Sequence, residues 1–337
     1  MGVCPCVRNQ AVDKGGKSGE FSLLKAKEEE KKTNASIKIQ RLFQKYLKES
    51  KNVDIKFCQQ AKQLPLQNEI VLKKIKEFPP FKFNRVTKSQ QRELRKPVKM
   101  KDGTIYSGYW STITDEKDGK GCQVWPDGSY YEGYWKHGKT FGYGRMYHAD
   151  GDVYEGFWMS DMAHGKGTYL HSDNSKYEGE WIKDKQSGKG KETWVDGSMY
   201  IGDYHNGQKN GKGKFHWADG SDYDGDFLLN TIHGYGKYSW SDGRSYDGNW
   251  VDGKMEGKGI FSWPNGKKYE GDFVNDKKDG IGILSFADGK VYKGEFFNGN
   301  QNGKGEVRFP NGEVKRGVWK DGKRERWLLS STTKKAK

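Results

Sequence analysis

One spacing constrains this chain more than any other feature. The pattern Tyr-x-Gly-x-aromatic recurs at Tyr106, Tyr131, Tyr154, Tyr177, Tyr200, Tyr223, Tyr246, Tyr269 and Tyr292, and after a first step of 25 residues every step is 23. Gly-x-Gly pairs lie between these copies, from Gly119/Gly121 to Gly303/Gly305, and keep the same step of 23. A tenth, degraded copy has Lys315 in the Tyr place and Trp319 as its aromatic. A fixed period of this length marks an array of stacked supersecondary units rather than a single globule.

Each copy reads as a β-hairpin. Strand side chains alternate between faces, so Tyr131, Gly133 and Trp135 share one face. The same holds for Tyr154, Gly156 and Trp158, and for Tyr177, Gly179 and Trp181. On the second strand of a copy the ring positions are those of Trp194, Trp217, Trp240 and Trp263. Turn residues such as Asp127-Gly128, Asp196-Gly197 and Asn265-Gly266 precede the Tyr positions and suit tight turns. Only 33% of residues are hydrophobic, yet 14% are aromatic and there are 46 Gly. A core of aromatic rings lying on bare glycine backbone reconciles those figures. The expected fold is mainly β: an elongated, twisted, single-layer antiparallel ribbon of about ten hairpins over residues 101–322, preceded by a helical or disordered basic region. The opposite face reads as polar, with Glu132, Glu155, Glu178 and Asp224 facing Lys191, Lys214 and Lys237. It serves either as a solvated surface or as a strip for a partner.

The repeat resembles the MORN repeat (membrane occupation and recognition nexus), in units such as Tyr177-Glu178-Gly179-Glu180-Trp181 followed by Gly188-Lys189-Gly190. Similar repeats occur in junctophilins, radial-spoke head proteins, alsin-like exchange factors and some plant phosphatidylinositol phosphate kinases. The resemblance implies attachment, of membrane to cytoskeleton or of partner to partner.

Charge divides the chain differently. Residues 1–100 hold 24 Lys/Arg against 10 Asp/Glu, a net +14. Residues 101–322 hold 30 against 34, a net -4, and residues 323–337 form a basic tail behind a capping Trp327. The basic end is an electrostatic attachment segment for an anionic partner. The first residues, Met1-Gly2-Val3-Cys4-Pro5-Cys6, place a myristoylation glycine beside two cysteines. Gly2, Cys4 and Cys6 resemble a dual-acylation signal, with Cys6 where the rule asks for Ser or Thr. One acyl chain holds a protein only marginally, and a second chain or a basic patch makes the attachment stable. Residues 1–27 are therefore expected to be an acylated, flexible leader. Residues 28–50 read as a basic amphipathic helix resembling an IQ motif, carried by Ile39, Gln40, Phe43 and Tyr46. Such motifs bind calmodulin or related EF-hand light chains, and the same helix could instead lie on a membrane or pack on the ribbon. Residues 51–100 hold a second amphipathic stretch, Glu69 to Phe78, and a basic connector.

Enzyme signatures fall away on inspection. Gly133 to Thr140 has the spacing Gly-x4-Gly-Lys-Thr of a phosphate-binding loop, but that loop needs a helix after it, and the same frame recurs with the repeat at Gly248 and Gly317. The seven His are scattered, and His148 and His171 stand where other copies place Trp194 or Trp217. No metal, cofactor or catalytic residue is expected, and no nucleic-acid partner. The lack of an apolar leader, of an 18-residue apolar run and of paired cysteine spacing leads us to expect a cytosolic, reducing compartment, and the acylation signal with the basic end points to the cytoplasmic side of a membrane. Three roles remain open. One is a non-enzymatic tether between membrane and protein partners, with Ca²⁺–calmodulin control. The second is a soluble part of a ciliary or cortical cytoskeleton, like radial-spoke heads. The third is a regulatory partner of a phosphoinositide kinase. An exposed terminal strand could also pair two copies edge to edge.

Overall fold

The computed structural model describes residues 64–83 and 91–328. Gly2, Cys4, Cys6, Ile39, Gln40, Phe43 and Tyr46 lie outside them. The described chain holds one helix, α1 (Glu69–Glu77), and 21 strands. Successive strands pair antiparallel, giving one open 21-stranded sheet. Among the described residues no helix is long and apolar enough to cross a membrane.

Two compact units divide the chain. Unit 1 runs to residue 195 with 205–207; unit 2 comprises 196–204 and the residues from 208 onward. Unit 1 contains α1, β1 (Arg92–Lys99), β2 (Ile105–Ser111), β3 (Lys117–Val124), β4 (Tyr130–Lys136), β5 (Lys139–Tyr147), β6 (Val153–Met159), β7 (Met162–Leu170), β8 (Lys176–Ile182) and β9 (Lys185–Thr193). The strands from β10 (Met199–His205) to β21 (Lys323–Trp327) follow. Residues 92–99, within the basic connector of the sequence reading, thus form a strand that pairs with β2.

The two glycines of each Gly-x-Gly pair have separate reasons. The first sits at a β-bulge with positive φ, for example Gly142 at 76° and Gly165 at 76°, a backbone that side chains other than glycine rarely adopt. The second lies under a tyrosine ring: a Cβ on Gly144 would stand 2.2 Å from the Tyr131 Oη, and one on Gly133 2.3 Å from it. The tyrosines are fully buried along the whole array. Each donates its hydroxyl to the carbonyl three residues on, at 2.9–3.2 Å, as Tyr131 does to Tyr134 and Tyr154 to Phe157. Each ring also meets the aromatic four residues later edge-on, and usually that of the next copy. Tyr131 packs this way on Trp135 and Trp158, both at 5.4 Å. A buried phenol that keeps its hydrogen bond avoids the penalty of an unpaired polar group.

The short turns stitch neighbouring copies together. His137-Gly138, Ser160-Asp161 and Lys183-Asp184 have positive φ at both residues, as type I′ hairpin turns require. The N–H of the second residue donates to a carbonyl 21 residues back: Gly138 to Lys117, Asp161 to Thr140, Asp184 to Ala163, and likewise Asn230 to Lys209 and Asp276 to Met255. Where that residue is Asp or Asn, its side chain accepts the matching N–H, as Asp161 does from Thr140 at 2.7 Å and Asn230 from Lys209 at 2.8 Å. The outward-facing backbone groups at the start of each second strand are thereby paired.

Candidate docking trough and its covered reverse side

On the ring face of unit 1 the aromatic row opens into a trough of about 840 Å³. Its opening follows from one repeat position. The residue directly across from each ring four after Tyr is Lys117 opposite Trp110, Thr140 opposite Trp135, Ala163 opposite Trp158 and Gln186 opposite Trp181. In unit 2 the same position holds Ile232, Met255, Lys278 and Gln301. Long side chains there lie over the rings. The Lys117 Nζ sits 4.5 Å from the Trp135 ring centre, and the Lys278 Nζ 5.7 Å from that of Tyr269. Thr140 and Ala163 are too short to do so, and the trough opens beside them: Trp158 is part-exposed at its floor, while Trp135, beneath Lys117, and Trp181 line it as buried walls.

The trough is edged by carboxylates. Asp150 and Asp152 come from the turn between β5 and β6, on one side. Asp161 and Asp184 come from the short turns, on the other. Lys117 and Lys185 stand at its two ends. His148 and His171 line it with Tyr169, which donates to Asp152 at 2.8 Å while His171 approaches the same carboxylate at 3.3 Å. Burial lowers the His148 pKa from its ordinary value, and burial likewise lowers that of the Lys117 ammonium. The Trp158 and Trp181 indoles donate to the carbonyls of Gly144 and Gly167, at 3.1 and 3.2 Å, which fixes the trough floor. Trp194, Trp217, Trp240 and Trp263 are half-buried rather than enclosed.

The reverse side of unit 1 is covered by residues 64–83. Leu64 and Val71 join Cys122, Val124, Tyr130, Tyr147 and Val153 in one buried cluster, with Ile75 and Phe78 against it. The Asn68 side chain caps α1 by accepting from Ile70 and Val71 at 3.0 and 3.2 Å, and donates to the Ala149 carbonyl at 3.1 Å. Behind the helix, Phe81 stacks on Tyr143 at 6.0 Å. Arg145 is the polar centre of this contact. It donates to the Pro79 carbonyl at 2.9 Å, pairs with Glu155 at 2.9 Å and lies 3.5 Å from Glu132. Burial raises the Glu132 carboxyl to about 7, against the opposing pull of Arg145. The sequence reading placed Glu132 and Glu155 on the polar face but not the strap that covers them. Part of the signal was available: Cys122 gives way to Lys191, Lys214 and Lys237 in the middle copies, and Val124 and Tyr147 to Ser239, Ser262 and Ser285 in later ones.

Gly133 to Thr140 runs from β4 through a two-residue turn into β5, with no helix following. Among the described residues, no group of three or more His, Cys, Asp or Glu is placed to hold a metal ion.

No curated protein matches the chain. Among solved structures it is similar to the TCP domain of Drosophila melanogaster SAS-4 (dCPAP), in complex with a proline-rich motif of Ana2 (dSTIL). There the identity is 13% and the TM-score 0.29, over 57% of this chain and 96% of that one. It is also similar to the TCP10 domain of Danio rerio CPAP, with 13% identity and a TM-score of 0.24, over 69% of this chain and 99% of that one. Likenesses at that level carry no functional argument. The family model of the MORN repeat matches nine successive copies, from residues 115–130 and 131–153 to 269–291 and 292–314. With more than half of its length so matched, the chain belongs to the MORN-repeat family.

Proposed function

We propose that this protein is a non-enzymatic tether that links the cytoplasmic face of a membrane to protein partners. MORN repeats suggest a membrane-binding or scaffold role. The observation that carries the finer reading is the segregation of charge: +14 over residues 1–100 against -4 over residues 101–322. Basic residues draw a segment to anionic lipid with about 1 kcal/mol each near the surface, whereas an array of net negative charge is poorly suited to that surface. In this reading Gly2, Cys4 and Cys6 carry acyl chains, and the basic residues behind them make the attachment stable. The sheet then presents its ring face to a partner protein. Residues 28–50, through Ile39, Gln40, Phe43 and Tyr46, take a calmodulin-type EF-hand protein, whose Ca²⁺-dependent binding would lift basic residues from lipid.

The test is fractionation of cells expressing the full chain, its Gly2→Ala variant and its Cys4→Ser/Cys6→Ser variant. The wild type is expected with membranes and both variants in the soluble fraction. If all three remain with detergent-insoluble cytoskeleton, the tether reading fails and a structural role like that of radial-spoke heads replaces it. Retention of all three on membranes would overturn acylation. A Ca²⁺-dependent pull-down with the full chain tests the EF-hand partner, and no capture in either Ca²⁺ state removes that part.

A further inference from the structure

We propose that the trough over Trp135, Trp158 and Trp181 is a docking site for residues 28–50 of the same chain. The inference does not depend on the tether reading, because it concerns where this segment rests rather than what anchors the chain.

Three observations converge. The first is that the opening is local: short side chains at Thr140 and Ala163 leave a trough with the part-exposed Trp158 at its floor, at a repeat position that holds Lys117, Met255 or Lys278 in other copies. An apolar floor with aromatic walls takes aliphatic and aromatic side chains and draws cations to its ring faces. The second is charge. Carboxylates of Asp150, Asp152, Asp161 and Asp184 edge the middle of the trough, and its two lysines stand only at the ends. Residues 31–48 contain no Asp or Glu; Lys38, Arg41, Lys45 and Lys48 lie among Ile39, Leu42, Phe43, Tyr46 and Leu47. Such a segment offers apolar side chains for the rings and cations for both rims. The third is reach. Leu64 is already fixed in the cluster on the reverse side of the same strands. Residues 51–63 can span about 45 Å when extended, which is ample to pass around the edge of a single sheet. Tethering of that kind supplies effective concentrations in the millimolar range, so a modest intrinsic affinity fills the site.

Docking there makes the trough and an EF-hand protein rivals for the same residues. By thermodynamic reciprocity, whatever occupies the trough from outside would raise the affinity of residues 28–50 for their other partner.

The test uses the full chain with p-benzoylphenylalanine in place of Phe43, photolysed as an equal mixture of ¹⁴N- and ¹⁵N-labelled protein. Expected are cross-links within one molecule to the trough, at Met146, Trp158 or their neighbours. Ala163→Lys should lower their yield at least tenfold without lowering the melting temperature, because lysine already stands at this repeat position in Lys117, Lys209 and Lys278. Should that variant fail to fold, Asp161→Asn with Asp184→Asn serves instead. Asn230 shows that the turn hydrogen bond survives with asparagine, and the yield should fall severalfold at low salt. Cross-links between differently labelled molecules, links to the α1 side of the sheet, no links, or a yield unchanged by these substitutions would each overturn the proposal. Loss of membrane attachment in the Gly2→Ala chain would leave it untouched.

Discussion

Units 1 and 2 are built from the same 23-residue unit and put its two faces to different use. Their tyrosines are equally buried, with Tyr131 and Tyr154 in one and Tyr223 and Tyr246 in the other each at or below 2% exposure. On the reverse side the units part. Over β3 to β6 of unit 1 it is apolar around an enclosed Arg145 and lies beneath residues 64–83. In unit 2 the corresponding pairs, such as Lys214 with Asp224 at 2.7 Å, are exposed, and so are Leu228, Val251, Val274 and Phe297. The ring face differs too, open over Ala163 and covered at Met255 and Lys278. The lesson is that the period fixes the scaffold, while side chains outside the Tyr and Gly positions decide what each stretch does.

The widest separation between the units should come from their ion pairs. Arg145→Ala leaves Glu132 and Glu155 enclosed without their cation and removes the bond to Pro79. It should cost about 3–5 kcal/mol in chemical denaturation. Lys214→Ala should leave the melting temperature unchanged, because exposed pairs contribute little. Equal losses for the two would mean that residues 64–83 do not enclose Arg145.

Next in size is a change on which the units should agree. A Cβ at Gly133 would meet the Tyr131 Oη at 2.3 Å and the Gly144 Cα at 2.7 Å, and one at Gly225 would meet Tyr223 and Gly236 at 2.4 and 2.5 Å. Gly133→Ala and Gly225→Ala should each destabilise by about 3 kcal/mol, the upper range for forcing atoms into a filled core. A mild effect in one unit only would show that its tyrosine can move aside.

The smallest effect is confined to unit 1. Glu132 titrates at about 7 in the folded protein, chiefly through burial, against an ordinary value of 4.5. Between those values the folded state holds a proton that the unfolded state has released, so stability falls as pH rises from about 4.5 to about 7. Glu132→Gln should remove that slope. The difference in unfolding free energy between pH 5 and pH 8, taken from urea titrations, should narrow by on the order of 2–3 kcal/mol, and an unaltered difference would assign the slope to other groups.

Much of this architecture was legible because it repeats. Nine tyrosines, eight of them at one step of 23, each followed by Gly at the second place, specify strand, face and stacking at once. The helix Glu69–Glu77 was visible as an amphipathic stretch ending before Pro79-Pro80, but its seat was not. A helix shows which side is apolar without showing what covers it, and the answer lay 50 to 80 residues away at Cys122, Tyr147 and Val153. The trough was hidden for a different reason. Thr140 and Ala163 are unremarkable alone, and matter only beside Lys117, Met255 and Lys278 at the same place in other copies. The separate duties of the two glycines were also out of reach, because a positive φ and a ring overhead leave the same letter in the sequence.

The bond from each short turn to the carbonyl 21 residues earlier has a bearing on how such molecules change length. Every copy supplies its predecessor's missing partner and relies on its successor for its own. If a whole 23-residue copy is spliced out or duplicated, the donors and acceptors at the seam find the same mates as before. The array can therefore grow or shrink in whole-copy steps, like a zip fastener losing or gaining teeth, while a cut of any other size strands amide groups at the join.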